Sequence, residues 1–309
     1  MDLRYLSELG PTEIRTHVEQ THSLWGDGLT LDDRHGKLVR RMVEAGPARF
    51  SMAGLVDDRG QLVASLKRYT YSLGIRGTQL PAVGLGAIFT PTEQRRQGLA
   101  ARLIERVLAG AESELGCRAA FLYSDIDPAY YRKFGFTELR AERFTWATSA
   151  LPAGPGLRAE PARNPALLRE FYRTTVAPFP LSTVRDEIAW RLFQDINSCE
   201  QTLALFTEEN PDPVGWLAVS PQRAKNYLWV QEWCADAGQE TAIWATIRRL
   251  AEAAGLAEAR GWGLPHYRAL PVGALRPRTD AVPMLRLAGG RPVLEEEASY
   301  AWFSSADHY

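Results

Sequence analysis

Arg95, Arg96, Gly98 and Ala100 fall within one short turn, and directly after it apolar residues at 99, 103, 104, 107, 108 and 111 recur at helical spacing. A glycine therefore stands at a helix N-terminus with two arginines just upstream. The first turn of a helix offers unpaired N–H groups and a partial positive charge, and glycine lets a bulky anion approach the backbone. Two guanidinium groups add full charges, so the arrangement suits a pyrophosphate. A solvated basic turn that merely starts a helix would use the same residues, and the flanking stretches have to decide.

Upstream, Ala82-Val83-Gly84-Leu85-Gly86-Ala87-Ile88-Phe89 reads as a buried strand whose glycines mark a bulge or splayed edge, and Thr90-Pro91 ends it. Downstream, Ala119 to Tyr123 reads as a second buried strand, broken by Asp125-Ile126-Asp127-Pro128. Ala129 to Phe136 then reads as a short helix stopped by Gly135. This order resembles the acyl-CoA-binding core of the GNAT superfamily of N-acetyltransferases. The family's Arg/Gln-x-x-Gly-x-Gly/Ala signature is matched by Arg95, Gly98 and Ala100, and its tyrosine four residues before Gly-Phe by Tyr131, Gly135 and Phe136.

The resemblance implies acetyl-CoA as co-substrate and no metal. It places the pantetheine arm along Ile88, Phe89 and Thr90, with a backbone N–H near Phe89 or Thr90 polarising the thioester carbonyl. Arg95 and the backbone of Arg96, Gln97, Gly98, Leu99, Ala100 and Ala101 would hold the pyrophosphate. Tyr131 would protonate the leaving sulfur, since a phenol with a pKa of about 10 keeps its proton at neutral pH; Tyr130 would point some 100° away on the same helix. Many members of the family carry a glutamate on the strand before the phosphate turn, but residues 80–89 include no acid. Asp125 and Asp127 are the candidates for the base, Asp127 serving equally as a helix cap beside Pro128. His22, His35 and the terminal carboxylate of Tyr309 are weaker alternatives. Trp25 and Asp27 lie in the loop that borders the acceptor in this fold. With Asp32 and Asp33 they form an acidic, aromatic-flanked patch suited to a cationic amine, although a helix N-terminus accounts for Asp32 and Asp33 as well.

The whole chain has 309 residues, 45% of them apolar, enough for two cores. With 36 basic and 37 acidic residues it carries no global field that would favour nucleic acid or an anionic membrane. Cys117, Cys199 and Cys234 are sparse, lack metal-like spacing and read as reduced and structural. No apolar run approaches the ~20 residues of a spanning helix. The expectation is a cytoplasmic protein with a small-molecule partner.

Residues 3–6 read as a strand, Pro11 to about His22 and Leu31 to Ala45 as helices, and 48–56 with 61–74 as a hairpin turned at Asp57-Asp58-Arg59-Gly60. The last strand of the first half is expected from Thr137 to Trp146. Residues 149–165, rich in Ala, Pro and Gly, read as a linker. The second half echoes the first: a helix from Pro165 to Val176, another near 182–195, a hairpin at 203–206 and 214–219, and a strand from Tyr227 to Trp233. Ile243, Trp244 and Ile247 match Leu103, Ile104 and Val107 at an offset of 243 − 103 = 140. That offset sets Ala235, Asp236, Gly238 and Glu240 against Arg95, Arg96, Gly98 and Ala100, two carboxylates and no arginine where a diphosphate would sit. Pro283 to Gly289 reads as the counterpart of the short helix, with Leu285 in place of Tyr131. The tryptophans gathered in this half read as core rather than as a substrate wall.

The expected fold class is α/β (α+β), two GNAT-like domains, each a mixed, mostly antiparallel sheet flanked by helices. Residues 1–150 would form the acetyl-CoA-binding catalytic domain and 151–309 a degenerate copy without the CoA motif. That architecture is similar to fungal lysine N-acetyltransferases. The expected activity is acetyl transfer to a primary amine of a small molecule. Acetylation of protein lysines or N-termini, or a non-catalytic acyl-CoA-binding regulatory module, are the alternatives.

Overall fold

The computed structural model of the chain describes residues 2–26, 28–196, 201–268, 270, 273–299 and 301–303. The first elements are β1 (Arg4–Leu6), α1 (Pro11–Trp25), α2 (Leu31–Ala45), β2 (Phe50–Val56), β3 (Leu62–Ile75), β4 (Thr78–Phe89), α3 (Leu99–Ser113), β5 (Ala119–Ser124), α4 (Ala129–Arg132) and β6 (Thr137–Glu138), most of them where alternation and helical spacing put them, while α1 runs past His22 and takes in Trp25, which was expected in a loop. Local chemistry fixes their ends. Proline opens α1, and the Thr30 hydroxyl accepts from the Asp33 N–H (3.1 Å) to cap α2. Asp57 accepts from the backbone of Arg59 and Gln61 to close the β2–β3 turn.

The chain continues through β7 (Glu142–Ala147), β8 (Arg158–Pro161), α5 (Pro165–Val176), β9 (Leu181–Val184), α6 (Glu187–Ile196), β10 (Gln201–Phe206), β11 (Gly215–Gln222), β12 (Tyr227–Ala235), α7 (Glu240–Ala253), β13 (Glu258–Gly263), β14 (Leu275–Pro277), β15 (Val282–Leu287), α8 (Glu295–Ser299) and β16 (Ala301–Trp302). The architecture is mixed α/β, with two mixed sheets flanked by helices.

Two compact units emerge, and they do not divide at residue 150. The first gathers residues up to Leu73, Gln79–Glu138 and Met284–Val293; the second takes Gly74–Thr78, Leu139–Pro283 and the chain from Leu294. In the first unit the strands run β1-β2-β3-β4-β5-β15-β6, and in the second β8-β10-β11-β12-β13-β7-β14. Each order has a parallel pair in the middle, β4 with β5 and β12 with β13. The sixth place in each is filled from the far half of the sequence.

Four sequence expectations are corrected, the first two by this exchange. Thr137 to Trp146 is not one strand: β6 pairs with β15 in the first sheet, while β7 pairs with β13 and β14 in the second. Phe144 and Trp146 alternate into a core as the pattern requires, but that core is the second unit's, because period-two spacing identifies a buried face and not the sheet that owns it. Pro283 to Gly289 is not a short helix but mostly β15, with Met284 fully buried in the first core. Its register with β7 is again 282 − 142 = 140. The 149–165 stretch is no free linker either: Leu151 and Leu157 are buried, and the Leu157 N–H donates to Thr246 Oγ1 at 2.7 Å. The expected helix near 182–195 is β9 followed by α6.

The first core is aliphatic, built on Leu66, Leu103, Ile104 and Leu122, whereas the second centres on Trp216, Trp244 and Trp302. His17 is a buried polar exception on α1, its Nδ1 2.8 Å from Ser65 Oγ. Burial, then the nearby Lys67 and Arg34 charges, lower its pKa to about 3.

Two outcomes are expected. A fragment of residues 1–150 lacks β15, leaving β5 with a bare edge, and should be aggregated or molten rather than cooperatively folded; a soluble fragment with a sharp unfolding transition would refute the exchange. For His17, the unfolded imidazole takes up a proton below its ordinary pKa near 6.5, while the folded one refuses it until about pH 3. Its contribution is therefore complete above pH 6.5 and is lost as the pH falls through that window. Urea titrations should show His17→Gln losing about 2 kcal/mol less stability than the native chain between pH 7.5 and pH 5. Equal losses would contradict the assignment.

Candidate active site

The site begins where two strands part. β4 and β5 pair in parallel from Ala82–Ala119 to Leu85–Leu122; β4 runs on to Phe89. Two residues past the last pair, Ala87 takes a left-handed conformation (φ 45°) that breaks the pleat. The irregular residue is thus an alanine beside Gly86, not a glycine. Gly84 has a different duty, since a Cβ there would come within 2.8 Å of the Tyr71 ring.

Pro91 follows the strand and a 3-10 turn leads into the basic loop. Arg95 folds back, its Nε donating to the Thr90 carbonyl at 3.2 Å. Arg96 is left-handed at φ 65°, an uncommon setting for a side-chain-bearing residue, and Gly98 at φ 75° sets the start of α3. No side chain caps that helix and no acid lies in its first turn. Its leading N–H groups are left for a ligand.

Beside this turn lies a cleft of about 460 Å³. Leu24, Trp25, Ile88 and Phe89 make its apolar end, with the Trp25 ring edge-on to Phe89 at 6.4 Å. Arg95, Arg96 and Lys133 are its cationic lining, and among the described residues no carboxylate lines it. Thr90 Oγ1 is buried there without a hydrogen-bond partner among the described residues.

Of the residues singled out from the sequence, Trp25, Ile88, Phe89, Thr90, Arg95, Arg96, Gly98, Leu99, Ala100 and Ala101 meet in this cleft. Gln97 does not line it; exposed, it donates from Nε2 to Gln94 Oε1 (3.3 Å) and braces the turn. Tyr131 lies behind the lining, 6% exposed, its ring 5.1 Å from Tyr130 and 6.3 Å from Phe136. Burial above all, then Tyr130 and Asp125, push its phenol well above the ordinary range. Asp125 is exposed at the end of β5, and Asp127 caps α4 by accepting from the Ala129 N–H at 2.9 Å. Asp27 and Tyr309 fall outside the described residues.

The acidic patch is already engaged. Asp32 accepts from Arg15 Nη1 at 2.6 Å, and Asp33 from the Thr30 hydroxyl at 2.6 Å. His35 lines a shallow hollow on α2 beside them, and His22 does not line the cleft. Sequence reasoning missed Tyr130, which lines the cleft despite the expected 100° offset, together with Leu24, Gln94 and Lys133. The signal for Lys133 was its place three residues after Tyr130 on one helical face; its Nζ stands 3.9 Å from the Tyr130 ring.

In the second unit β12 and β13 also stop pairing early, at Val230–Gly261. There Trp233 stacks on Tyr267 (5.1 Å, 11°) and His266 on Trp302 (4.3 Å, 25°). Gly238 is left-handed like Gly98, but Glu240 occupies the first turn of α7.

Residues 15–139 match the model of the acetyltransferase (GNAT) domain. No curated protein matches the chain. Among solved structures, the fold is similar to a GCN5-related N-acetyltransferase from Anabaena variabilis (TM-score 0.72, 16% identity, covering 93% of this chain and 73% of that one). It is similar to another from Kribbella flavida (0.69, 21%, 93% and 71%), and to Eis1 from Mycobacterium abscessus (0.59, 19%, 93% and 73%). Among the described residues no helix is long and apolar enough to cross a membrane, and no group of His, Cys, Asp or Glu is placed to hold a metal.

The geometry at Gly98 yields a direct test. Gly98→Asp adds strain at φ 75° and sets a carboxylate against the uncapped N–H groups. Inorganic pyrophosphate binding, followed by calorimetry, should weaken at least about tenfold with the circular dichroism unchanged. Undiminished binding would show that the helix start is not the anion site.

Proposed function

We propose that this acyltransferase, whose residues 15–139 are an acetyltransferase (GNAT) domain, moves an acetyl group from acetyl-CoA to a primary amine of a small molecule, such as a lysine-like amino acid or an amine metabolite. The observation that carries the reading is one cleft lined both by cations beside an uncapped helix start and by apolar side chains. A ligand with a phosphate-rich head and a thin, amide-bearing arm fits that division. Thr90 Oγ1, buried and unpartnered at the wall, suits a polar group on such an arm.

Each part of the site has a task. The N–H groups at the start of α3 hold the pyrophosphate with Arg95 and Arg96. Backbone groups of Ile88 to Thr90, beyond the last β4–β5 pair, receive the arm as an added strand. When bound, acetyl-CoA supplies an activated acyl carbon. A backbone N–H near Phe89 or Thr90 takes the charge that grows on its oxygen.

The amine must arrive neutral, and Asp125, exposed at the strand end, takes its proton directly or through water. Tyr131 keeps its own proton across the neutral range, because burial and the neighbouring Tyr130 and Asp125 all oppose a phenolate. It gives that proton to the departing sulfur and is restored from solvent. Trp25 borders the acceptor. The second unit, with rings packed at its strand parting and Glu240 at its helix start, takes no CoA.

The test is thiol release from acetyl-CoA across a panel of free amines, peptides and polyamines, for the native chain, Tyr131→Phe and Tyr130→Phe. Release that depends on one class of small amine is expected, with Tyr131→Phe at least about 100-fold slower and CoA affinity kept. If Tyr130→Phe alone is slow, the acid is the tyrosine that lines the cleft. Release only with peptides would replace the small-molecule reading, and binding without release would replace the enzyme reading by a binding module.

A further inference from the structure

The outer face of α2 carries a pattern that packing within the chain does not account for. The helix buries Leu38 and Ala45. On its other side Leu29, Asp32, Gly36, Arg40 and Val43 line one shallow hollow together. Their spacing about Gly36 requires it, since four residues make about one helical turn and seven make two. Two of them are apolar and open to water, Leu29 at 37% and Val43 at 75% exposed. Gly36 sits between them in mid-helix, where glycine costs stability relative to alanine. A Cβ there would meet nothing within 4 Å, so no neighbour inside the chain requires the glycine. What the glycine does provide is a backbone that another molecule can approach closely.

The same face is complementary to itself. Asp32 lies four residues before Gly36 and Arg40 four after it (36 − 4 = 32, 36 + 4 = 40). Leu29 and Val43 lie seven before and seven after (36 − 7 = 29, 36 + 7 = 43). A second copy laid antiparallel across Gly36 therefore sets each Asp32 beside the partner's Arg40, and each Leu29 beside the partner's Val43, as a twofold axis demands. Asp32 accepts from Arg15 through Oδ1, yet its side chain is 83% exposed, which leaves the second oxygen for another guanidinium. Arg40 is exposed as well.

We infer that the outer face of α2 is a dimerisation surface, on which two copies of this chain pair antiparallel about a twofold axis at Gly36. One helix against its copy covers less than the roughly 1,200–2,000 Å² of stable complexes, so the dimer forms and parts with concentration.

The experiment is sedimentation velocity over a concentration series for the native chain, Gly36→Leu, Asp32→Arg, Arg40→Asp and an equimolar mixture of the last two. The native chain should pass from monomer to dimer. Gly36→Leu should weaken association at least about tenfold by holding the helices apart, with circular dichroism kept, because open space surrounds the position in its own chain. Each charge reversal should weaken it by about as much, since like charges then face each other. The mixture should recover to within about threefold of the native chain, because one copy of each variant restores both ion pairs. A monomer at every concentration overturns the inference. So does a dimer that Gly36→Leu leaves intact, which would place the contact on another surface. A mixture no stronger than its two parts overturns the antiparallel pairing itself.

Discussion

The wedge between β4 and β5 is the constraint on which this molecule depends. Two parallel strands bonded along their whole length would leave no room for an arm to lie between them. Pairing ends at Leu85–Leu122, and the left-handed Ala87 turns the rest of β4 aside. The backbone from Ile88 to Thr90 is then available for a ligand, and Pro91 keeps the following turn from resuming the ladder. The basic loop has to begin there because α3 must cross back to reach β5. The uncapped start of α3 is thereby delivered to the mouth of the wedge. Strand parting, loop and helix origin form one mechanical arrangement, with the chemistry attached to its open end.

Much of this was legible. The β4–loop–α3 region could be read because it depends on residues close in sequence: a proline, a glycine at positive φ and an apolar stripe each act locally. Nine cleft residues were named in that stretch through the resemblance its pattern carries, and Trp25 ahead of it. The acid was harder. α4 has a single turn, and with so short a helix the angular argument about Tyr130 and Tyr131 could not say which part of the fold the cleft reaches. Lys133 was overlooked because a cation on a short exposed helix has an ordinary explanation in solvent, and only its shared wall with Arg95 and Arg96 gives it another.

The exchanged strands were illegible for a physical reason. Residues 142–147 alternate as a half-buried strand does, whereas 282–287 are apolar at nearly every position. Nothing in such a pattern records the partner. Strand pairing is decided by long-range contact, where a buried Met284 in one core and a buried Phe144 in the other settle ownership. The offset of 140 also relates β7 to β15.

That exchange bears on why a half with no open wedge accompanies one that has it. β5 is buried along nearly all its length and sits between β4 and β15, so the second half of the sequence supplies the neighbour that a central strand needs. In return β7 enters the second sheet between β13 and β14 and carries Phe144 and Trp146 into its core. An open wedge leaves backbone groups and apolar surface uncovered until a ligand comes, which costs stability. In the second unit Trp233, Tyr267 and Trp302 are buried beyond the same early end of pairing, with the half-buried His266 stacked on Trp302. Aromatic packing of that kind contributes about 0.5–1.5 kcal/mol per pair beyond the area it covers. One sheet thus has a cleft beside the place where its parallel pair parts, and the other has aromatic rings packed where its own parallel pair ends.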